Sequence, residues 1–262
     1  PHVAAVGPDA LIGTAPHSLR AVTPEMLREI TRLRPEAPIH LHIAEQEAEV
    51  TEIEAAYGAR PVAWLMDHLE PDRRWCLIHA TQMVPGETAA LAASGAVAGL
   101  CPITEANLGD GIFDGARFAE AGGAFGVGTD SNIQITLAGE LRQLEYSQRL
   151  RDRERVILAG PRSTGRTLYE GACRGGAQAL GRGAGAIEPG AWADLVALDG
   201  AALDLAGLGG DTLLDAWIFT GCRAVRDVWS AGRHVVREGR HIAGEPIRAT
   251  YRATMTKLRE TL

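Results

Sequence analysis

The stretch from Pro38 to Glu45 has the sequence PIHLHIAE and decides the fold class. Its apolar run predicts a buried β-strand, and the acidic segment after it predicts the start of a helix. In an α/β barrel the carboxyl ends of the strands display the catalytic groups. His42 and Glu45 stand at such an end, where an imidazole can bind a transition metal and a carboxylate can transfer protons. The alternative is a core histidine beside a solvated helix start.

Apolar runs and amphipathic helical stretches alternate along the chain up to about position 183. The predicted strands are Leu11–Thr14, Pro38–Ile43, Trp75–Ala80, Ala96–Cys101 and Ala124–Gly128. The predicted helices are Thr23–Arg34, Pro61–Leu69, Pro85–Ser94, Ala138–Arg153 and Thr164–Leu180. This alternation predicts right-handed βαβ units and a parallel sheet. Since a closed (β/α)8 barrel needs eight strands, an open doubly wound sheet stays possible from the strand count alone.

After Gly185 the pattern changes to short strands with turn signals between them. Ala193–Leu198 is one predicted strand, and Asp227–Val236 is a predicted hairpin that turns at Ala231 and Gly232. The sequence therefore divides into an α/β domain at residues 1–183, a small β-module at residues 184–245 and a helix at residues 246–262.

The composition is that of an ordinary globular protein, with 46% hydrophobic and 23% charged residues among 262. A net charge of -7 argues against a general nucleic-acid-binding protein, which usually presents a basic face. No apolar stretch approaches membrane-spanning length. Four widely spaced cysteines without a CxxC pair favour a reducing, cytoplasmic location. Because the chain begins at Pro1, we expect its natural start to be missing.

Three further predicted strands also lead into polar groups at the same end of the sheet. His79 ends one strand, Asp130 follows another, and the polar, glycine-rich segment Thr104–Gly111, expected to be a loop, follows the third. A single polar residue in such a place is usually a helix cap or a turn former, and that is the simpler interpretation of Asp130 alone. The joint arrangement favours an active site.

Zinc accepts histidine and aspartate ligands, which makes His42 and Asp130 candidate metal ligands. Asp130 would accept a proton from water, Glu45 would donate one to a leaving nitrogen, and His79 would stabilise the developing charge. A catalytic zinc normally has three protein ligands, so two are too few. His40 lies on the same strand face as His42 but at another depth, and we interpret it as structural.

Six segments resemble the amidohydrolase superfamily and, within it, the N-formimino-L-glutamate deiminases of histidine degradation. They are APHSLR from Ala15, HIAEQ from His42, HAT from His79, CPITEANLGDG from Cys101, GTDSN from Gly128 and ELRQLEYSQRL from Glu140. HIAEQ, TEANLGDG and ELRQLEYSQRL look specific to this subfamily, whereas GTDSN is shared more widely. The tail around Gly190–Leu195 resembles the C-terminal part of the superfamily's β-sandwich.

The resemblance implies a partial (β/α)8 TIM barrel, holding about strands 4–8, joined to the C-terminal part of a small β-sandwich. It implies a zinc enzyme in which His42 and Asp130 bind the metal. Glu45 and His79 then serve as the proton-transfer and polarising residues. The implied reaction hydrolyses N-formimino-L-glutamate, a small-molecule substrate, to N-formyl-L-glutamate and ammonia. The resemblance further implies a homo-oligomer, expected to be a dimer.

His17 and Arg20 match positions that contact the substrate in the family. The planar guanidinium of Arg20 can bind a carboxylate through two hydrogen bonds, although an ordinary surface arginine is the alternative. The family's HxH motif, which supplies two metal ligands, is absent, so we expect a C-terminal portion whose further ligands come from a missing segment. Gln82 stands where many relatives have histidine.

Two other functions stay open. One is another deaminase or chlorohydrolase of the superfamily that acts on a heterocycle. Arg20, the Thr104–Gly111 segment and the low content of aromatic residues, 5%, argue against it. The other is a non-catalytic binding or scaffold protein that has lost the metal.

Overall fold

The computed structural model describes residues 7–261. The first six residues of the predicted α/β domain and the last residue of the predicted C-terminal helix therefore lie outside the described residues. The described chain forms two four-stranded sheets, the first parallel and the second antiparallel.

The parallel sheet is built from four of the predicted strands, which are confirmed. They are β1 (Ile39–Ile43), β2 (Trp75–His79), β3 (Val97–Leu100) and β4 (Ala124–Val127), in the order β1-β2-β3-β4. Ile43 pairs with His79 and Leu100 pairs with Val127, so the carboxyl ends of all four strands lie along one edge. That edge is where the candidate catalytic residues were expected.

Among residues 7–261, one helix precedes these strands and seven lie between them or directly after them. They are α1 (Pro24–Leu33), α2 (Glu47–Tyr57), α3 (Pro61–Leu69), α4 (Pro85–Ser94), α5 (Pro102–Leu108), α6 (Gly115–Glu120), α7 (Leu137–Asp152) and α8 (Thr164–Ala179). Proline occupies the first turn of α1, α3, α4 and α5, where its missing N–H has no helical partner to lose. The predicted bounds of α3 and α4 are confirmed.

The main hydrophobic core lies on one face of the parallel sheet, and a smaller apolar cluster of Cys76, Val97 and Ala179 lies on the other. Along β1, Ile39, Leu41 and Ile43 are buried there, while His40 and His42 point to the opposite face. His40 has a structural contact, since its Nε2 lies 2.8 Å from the carbonyl oxygen of Ala179 at the end of α8.

The antiparallel sheet contains β5 (Leu195–Leu198), β6 (Val225–Ser230), β7 (Arg233–Arg237) and β8 (Arg240–His241). The predicted hairpin between β6 and β7 is confirmed, with positive φ at Ala231 and Gly232. Two more helices, α9 (Gly210–Thr220) and α10 (Gly244–Arg259), follow β5 and β8. Helix α9 joins the two parts of the fold, because Asp215 accepts a hydrogen bond of 2.7 Å from the N–H of Gly165 in α8.

The structure differs from the sequence-based expectation in two places near the site. The strand predicted at Leu11–Thr14 is wrong, since only Thr14 pairs there, in an isolated bridge with Ile39. A regular ladder cannot extend in either direction because Pro16 and Pro38 lack N–H donors. The loop predicted at Thr104–Gly111 is also wrong over most of its length, because it belongs to α5.

Within residues 7–261, none of the helices has both the length and the apolar character that crossing a membrane requires.

Candidate active site

The carboxyl edge of the parallel sheet brings His42, Glu45 and His79 together. The imidazole centroids of His42 and His79 are 5.6 Å apart, and the ring planes are inclined to each other by 27°. The Nε2 atom of His79 lies 3.8 Å from Oε1 of Glu45. Two residues of β1 and β2 thus share a small space with the acid that follows β1.

His42 is oriented by the chain that precedes α1. Its Nδ1 lies 2.9 Å from the carbonyl oxygen of His17, and the centroids of these two imidazoles are 4.8 Å apart. Because a carbonyl accepts a hydrogen, the proton of a neutral His42 ring belongs on Nδ1. Its Nε2 then keeps a free lone pair, as a metal ligand requires.

Glu45 follows a tight turn that is held from two sides. The buried carboxylate of Glu49 accepts hydrogen bonds from the N–H groups of Ala44 and Glu45, at 3.0 and 2.8 Å. The hydroxyl of Thr81, just after β2, donates to the carbonyl oxygens of the same two residues. Burial raises the pKa of the Glu45 carboxyl, and the facing His79 imidazole opposes this.

His79 is almost completely buried, with 1% of its surface exposed, between two carboxylates. Its Nδ1 lies 3.2 Å from Oε1 of Glu105, and Glu45 faces its other nitrogen. Burial lowers the pKa of this imidazole, but the hydrogen bond to Glu105 and the charges of Glu45 and Asp130 outweigh it, so the pKa is raised. Glu105 was not among the site residues predicted from the sequence, because its segment was assigned to a loop.

The side chains of His79, Cys101 and Glu105 also lie close enough to one another to suggest a metal-binding cluster. Two observations argue against that role. Oε1 of Glu105 already accepts hydrogen bonds from His79 and from the Cys101 N–H, the latter at 2.8 Å. Burial also raises the pKa of the Cys101 thiol, which disfavours the thiolate that a metal needs. The cluster is therefore a hydrogen-bond network.

Asp130 is exposed in the turn after β4. Its charge contributes to the raised pKa of His79, so it acts on the same group as Glu45 does. The turn is fixed by Thr104, whose hydroxyl lies 2.8 Å from that of Ser131 and 3.2 Å from the carbonyl oxygen of Thr129.

Backbone strain is concentrated at this edge of the sheet. Ala44, His79, Ala80 and Asp130 have φ values of 48°, 70°, 53° and 42°, in the left-handed region that side chains disfavour. Such strain persists where the surrounding contacts over-determine it, as they do at functional sites.

The remaining predicted residues are placed as follows. The imidazole of His17 lies beside that of His42, tilted by 31°. The guanidinium of Arg20 is 3.8 Å from the Glu52 carboxylate on α2, a pairing of exposed side chains. The Gln82 amide donates to the carbonyl oxygen of Asp110, whose side chain accepts a hydrogen bond of 3.0 Å from Gln46. Gln82 therefore joins the end of β2 to the end of α5.

The ELRQLEYSQRL run forms α7 and has a structural function. Glu145 is completely buried and accepts hydrogen bonds from Arg149 and from the N–H groups of Ile157 and Leu158. Gln148, also completely buried, bridges the backbone of Phe113 and Gly115. This segment therefore supports the loops around the sheet.

A cavity of about 980 Å³ lies away from this edge, between α6, α7 and α8. Phe113, Phe118 and Phe125 line it together with Arg162 and Arg166, and both arginines are paired with carboxylates. The histidines at the strand ends do not line it. The candidate active site is therefore separate from this cavity.

Known proteins share this arrangement of elements. The amidohydrolase family model matches residues 8–235. The formimidoylglutamate deiminase of Pseudomonas aeruginosa is 52% identical over 238 residues, which make up 89% of this chain and 52% of that protein.

Two solved structures are also similar. An amidohydrolase from Brucella melitensis matches with a TM-score of 0.91 and 50% identity, over 95% of this chain and 55% of that one. An adenosine deaminase from Xanthomonas campestris with bound zinc matches with a TM-score of 0.83 and 27% identity, over 95% of this chain and 57% of that one. The chain spans about half the length of the relatives it matches.

Proposed function

The chain belongs to the amidohydrolase family, and on that premise we propose that it carries the acid–base half of a zinc-dependent N-formimino-L-glutamate deiminase. The observation that carries the proposal is the pairing of the half-buried Glu45 with the buried His79 beside His42, at the carboxyl ends of neighbouring strands. The reaction adds water across the C=N bond of the formimino group and releases ammonia, leaving N-formyl-L-glutamate.

The residues at this edge fit a zinc ion. The donors offered are the Nε2 of His42, left free by the contact between Nδ1 and His17, and the carboxylate of Asp130. Imidazole nitrogen and carboxylate oxygen are ordinary zinc ligands, and the metal would supply Lewis acidity here. We expect two further ligands from an HxH segment outside this chain.

Each side chain has a task that its surroundings support. Asp130 accepts a proton from the attacking water. Glu45 delivers a proton to the leaving nitrogen, and its burial favours the protonated form that this step needs. Once protonated on Nε2 as well, His79 donates a hydrogen bond from that nitrogen to the charge that develops on the substrate, and its raised pKa favours this imidazolium form. His17 and Arg20 contact the substrate, and Arg20 must exchange its exposed Glu52 partner for a substrate carboxylate.

We propose that the parallel sheet is part of a (β/α)8 barrel, about strands 4–8, and that β5 to β8 belong to the C-terminal part of a β-sandwich. Two isolated bridges support the first point. They pair Thr14 with Ile39 and Ser18 with His42, which makes residues 14–18 the irregular neighbour of β1 on its outer edge. On this proposal, the domain limits are those expected from the sequence, and the whole enzyme is a dimer.

The two alternatives are a heterocycle deaminase or chlorohydrolase and a non-catalytic scaffold. The relative with 52% identity supports the deiminase over the former, whereas the structure named as an adenosine deaminase is only 27% identical. The burial of His79 between two carboxylates argues against the latter, because a scaffold gains nothing from desolvating these charged groups.

The test uses a longer protein that contains this chain and the expected HxH segment. Glu45→Gln and Asp130→Asn should each lower the rate of ammonia release from N-formimino-L-glutamate by roughly 10²–10⁴-fold. Glu47→Gln, an exposed change in the same segment, is the matched control and should keep the wild-type rate. Losses below about tenfold in both variants, or faster turnover of adenosine or a triazine, would contradict the proposal.

A further inference from the structure

We propose that Glu105 is a positioning residue of this site, holding the Nδ1–H of His79 so that Nε2 of the same ring faces Glu45. The inference rests on the proposed function for the task of His79. The contact itself stands on the geometry alone.

The carboxylate of Glu105 determines which nitrogen of a neutral His79 ring carries the hydrogen. An ionised carboxylate only accepts hydrogen bonds, so the Nδ1 atom 3.2 Å away must carry the hydrogen. A neutral imidazole has one N–H, and its lone pair is then on Nε2, 3.8 Å from Glu45. Glu105 therefore selects the tautomer and sets the direction of the ring.

Glu105 is itself held rigidly, which a positioning residue requires. It lies in the first turn of α5, only 4% exposed, and accepts a hydrogen bond of 2.8 Å from the Cys101 N–H just before the helix. A negative charge is favoured at this end of a helix. The same oxygen thus ties the start of α5 to the last residue of β2.

The backbone of His79 is also in an uncommon conformation. At a φ of 70° the residue lies in the sparsely populated left-handed region, a conformation that persists where surrounding contacts over-determine it. The hydrogen bond to Glu105 is one such contact, and the His79 side chain itself makes it. Losing it would free the ring to rotate and to adopt the other tautomer.

A purely structural role is the competing explanation, since Glu105 also satisfies the Cys101 N–H. Glu87 supplies a matched control for that role. It is a similarly buried carboxylate, 5% exposed, and it accepts hydrogen bonds from Arg60 and from the N–H groups of Ala63 and Val84. Within residues 7–261 it makes no hydrogen bond to a strand-end histidine, so Glu87→Gln removes a buried carboxylate without removing a contact of His79.

The first measurement is the tautomer of His79 in the chain itself, labelled with ¹⁵N-histidine and kept free of metal. Long-range ¹H–¹⁵N spectra at a pH where the ring is neutral should show hydrogen on Nδ1, with the signal assigned by its loss in His79→Asn. Glu105→Gln and Glu105→Ala should shift the ring towards the Nε2–H form, whereas Glu87→Gln should not. Hydrogen on Nε2 in the wild type, or an unchanged tautomer in both Glu105 variants, would overturn the proposal.

The second measurement is made in the longer enzyme. Glu105→Gln should lower kcat by roughly 10- to 100-fold while KM and zinc content stay near wild type. An equal loss in Glu87→Gln would indicate that destabilisation alone explains the effect and would contradict a positioning role. If the longer enzyme has no deiminase activity at all, the proposed function fails, but the tautomer result still decides the role of Glu105.

Discussion

The carbonyl oxygen of His17 accepts two hydrogen bonds from His42, one from its backbone N–H at 3.0 Å and one from Nδ1 at 2.9 Å. The chain before α1 therefore fixes both the backbone and the ring of the candidate metal ligand. This double contact explains how an irregular segment can orient a group on β1, because the second bond sets the direction of Nε2.

We expect His42→Ala to weaken zinc binding in the longer protein by at least about tenfold, because the variant removes a ligand outright. Competition with a chromogenic chelator measures the affinity. His241→Ala, which alters an exposed histidine of the antiparallel sheet, should bind zinc as the wild type does. Equal zinc affinity in the two variants would remove His42 from the ligand set.

Glu49 should be important for the stability of the chain. Its carboxylate accepts hydrogen bonds from the N–H groups of Ala44 and Glu45, and the residue is only 1% exposed. Glu49→Ala leaves both N–H groups without their partner, at a cost of about 1–3 kcal/mol each in the free energy of unfolding. Urea denaturation measures this loss. Glu54→Ala, at an exposed position on the same helix, should change the stability by less than about 0.5 kcal/mol.

The site residues that the sequence predicted were recognised because they follow predicted strands. His42 and His79 lie on neighbouring parallel strands, so their meeting follows from the sheet. Glu105 was missed because glycines and polar residues after β3 suggested a loop, whereas Pro102 starts a short helix there. The pairing of Arg20 with Glu52 was equally hidden, because periodicity predicts the type of an element but not which distant side chains it meets.

The packing of α8 on β4 gives a prediction with a control one residue away. A Cβ added to Gly175 would lie 1.8 Å from the carbonyl oxygen of Phe125, whereas a Cβ at Gly176 would meet nothing within 4 Å. Gly175→Ala should therefore destabilise the chain by more than about 2 kcal/mol, since the two backbones must separate. Gly176→Ala should stabilise it by roughly 0.5–1 kcal/mol through helix propensity.

Thermal and urea denaturation of the two variants decide the matter. If both substitutions have the same effect on the free energy of unfolding, α8 does not lie against the β4 backbone as described. A Gly175→Ala chain that is too unstable to purify agrees with the prediction only if Gly176→Ala folds normally.

We expect Glu140 to make the stability of the chain depend on pH near neutrality. It is 1% exposed on α7, its Oε2 accepts a hydrogen bond of 2.9 Å from the Ile103 N–H, and its Oε1 has no hydrogen-bond partner among the described residues. Burial raises the pKa of this carboxyl to about 7, with further contributions from the charges of Glu105 and Asp130.

The direction of the effect follows from proton linkage. The folded chain holds the Glu140 proton more tightly than the unfolded chain, whose carboxyl has the ordinary pKa of 4.5. The stabilisation is therefore fully present below about pH 4.5 and is lost as the pH rises to about 7.

Glu140→Gln stays neutral at every pH, so we expect it to exceed the wild type in stability by about 1–3 kcal/mol near pH 8 and by much less near pH 5. Urea denaturation at both pH values, with a chelator present, measures the difference, and Glu120→Gln is the exposed control. A gap between Glu140→Gln and the wild type that is equal at the two pH values would mean that Glu140 is ionised in the fold throughout this range.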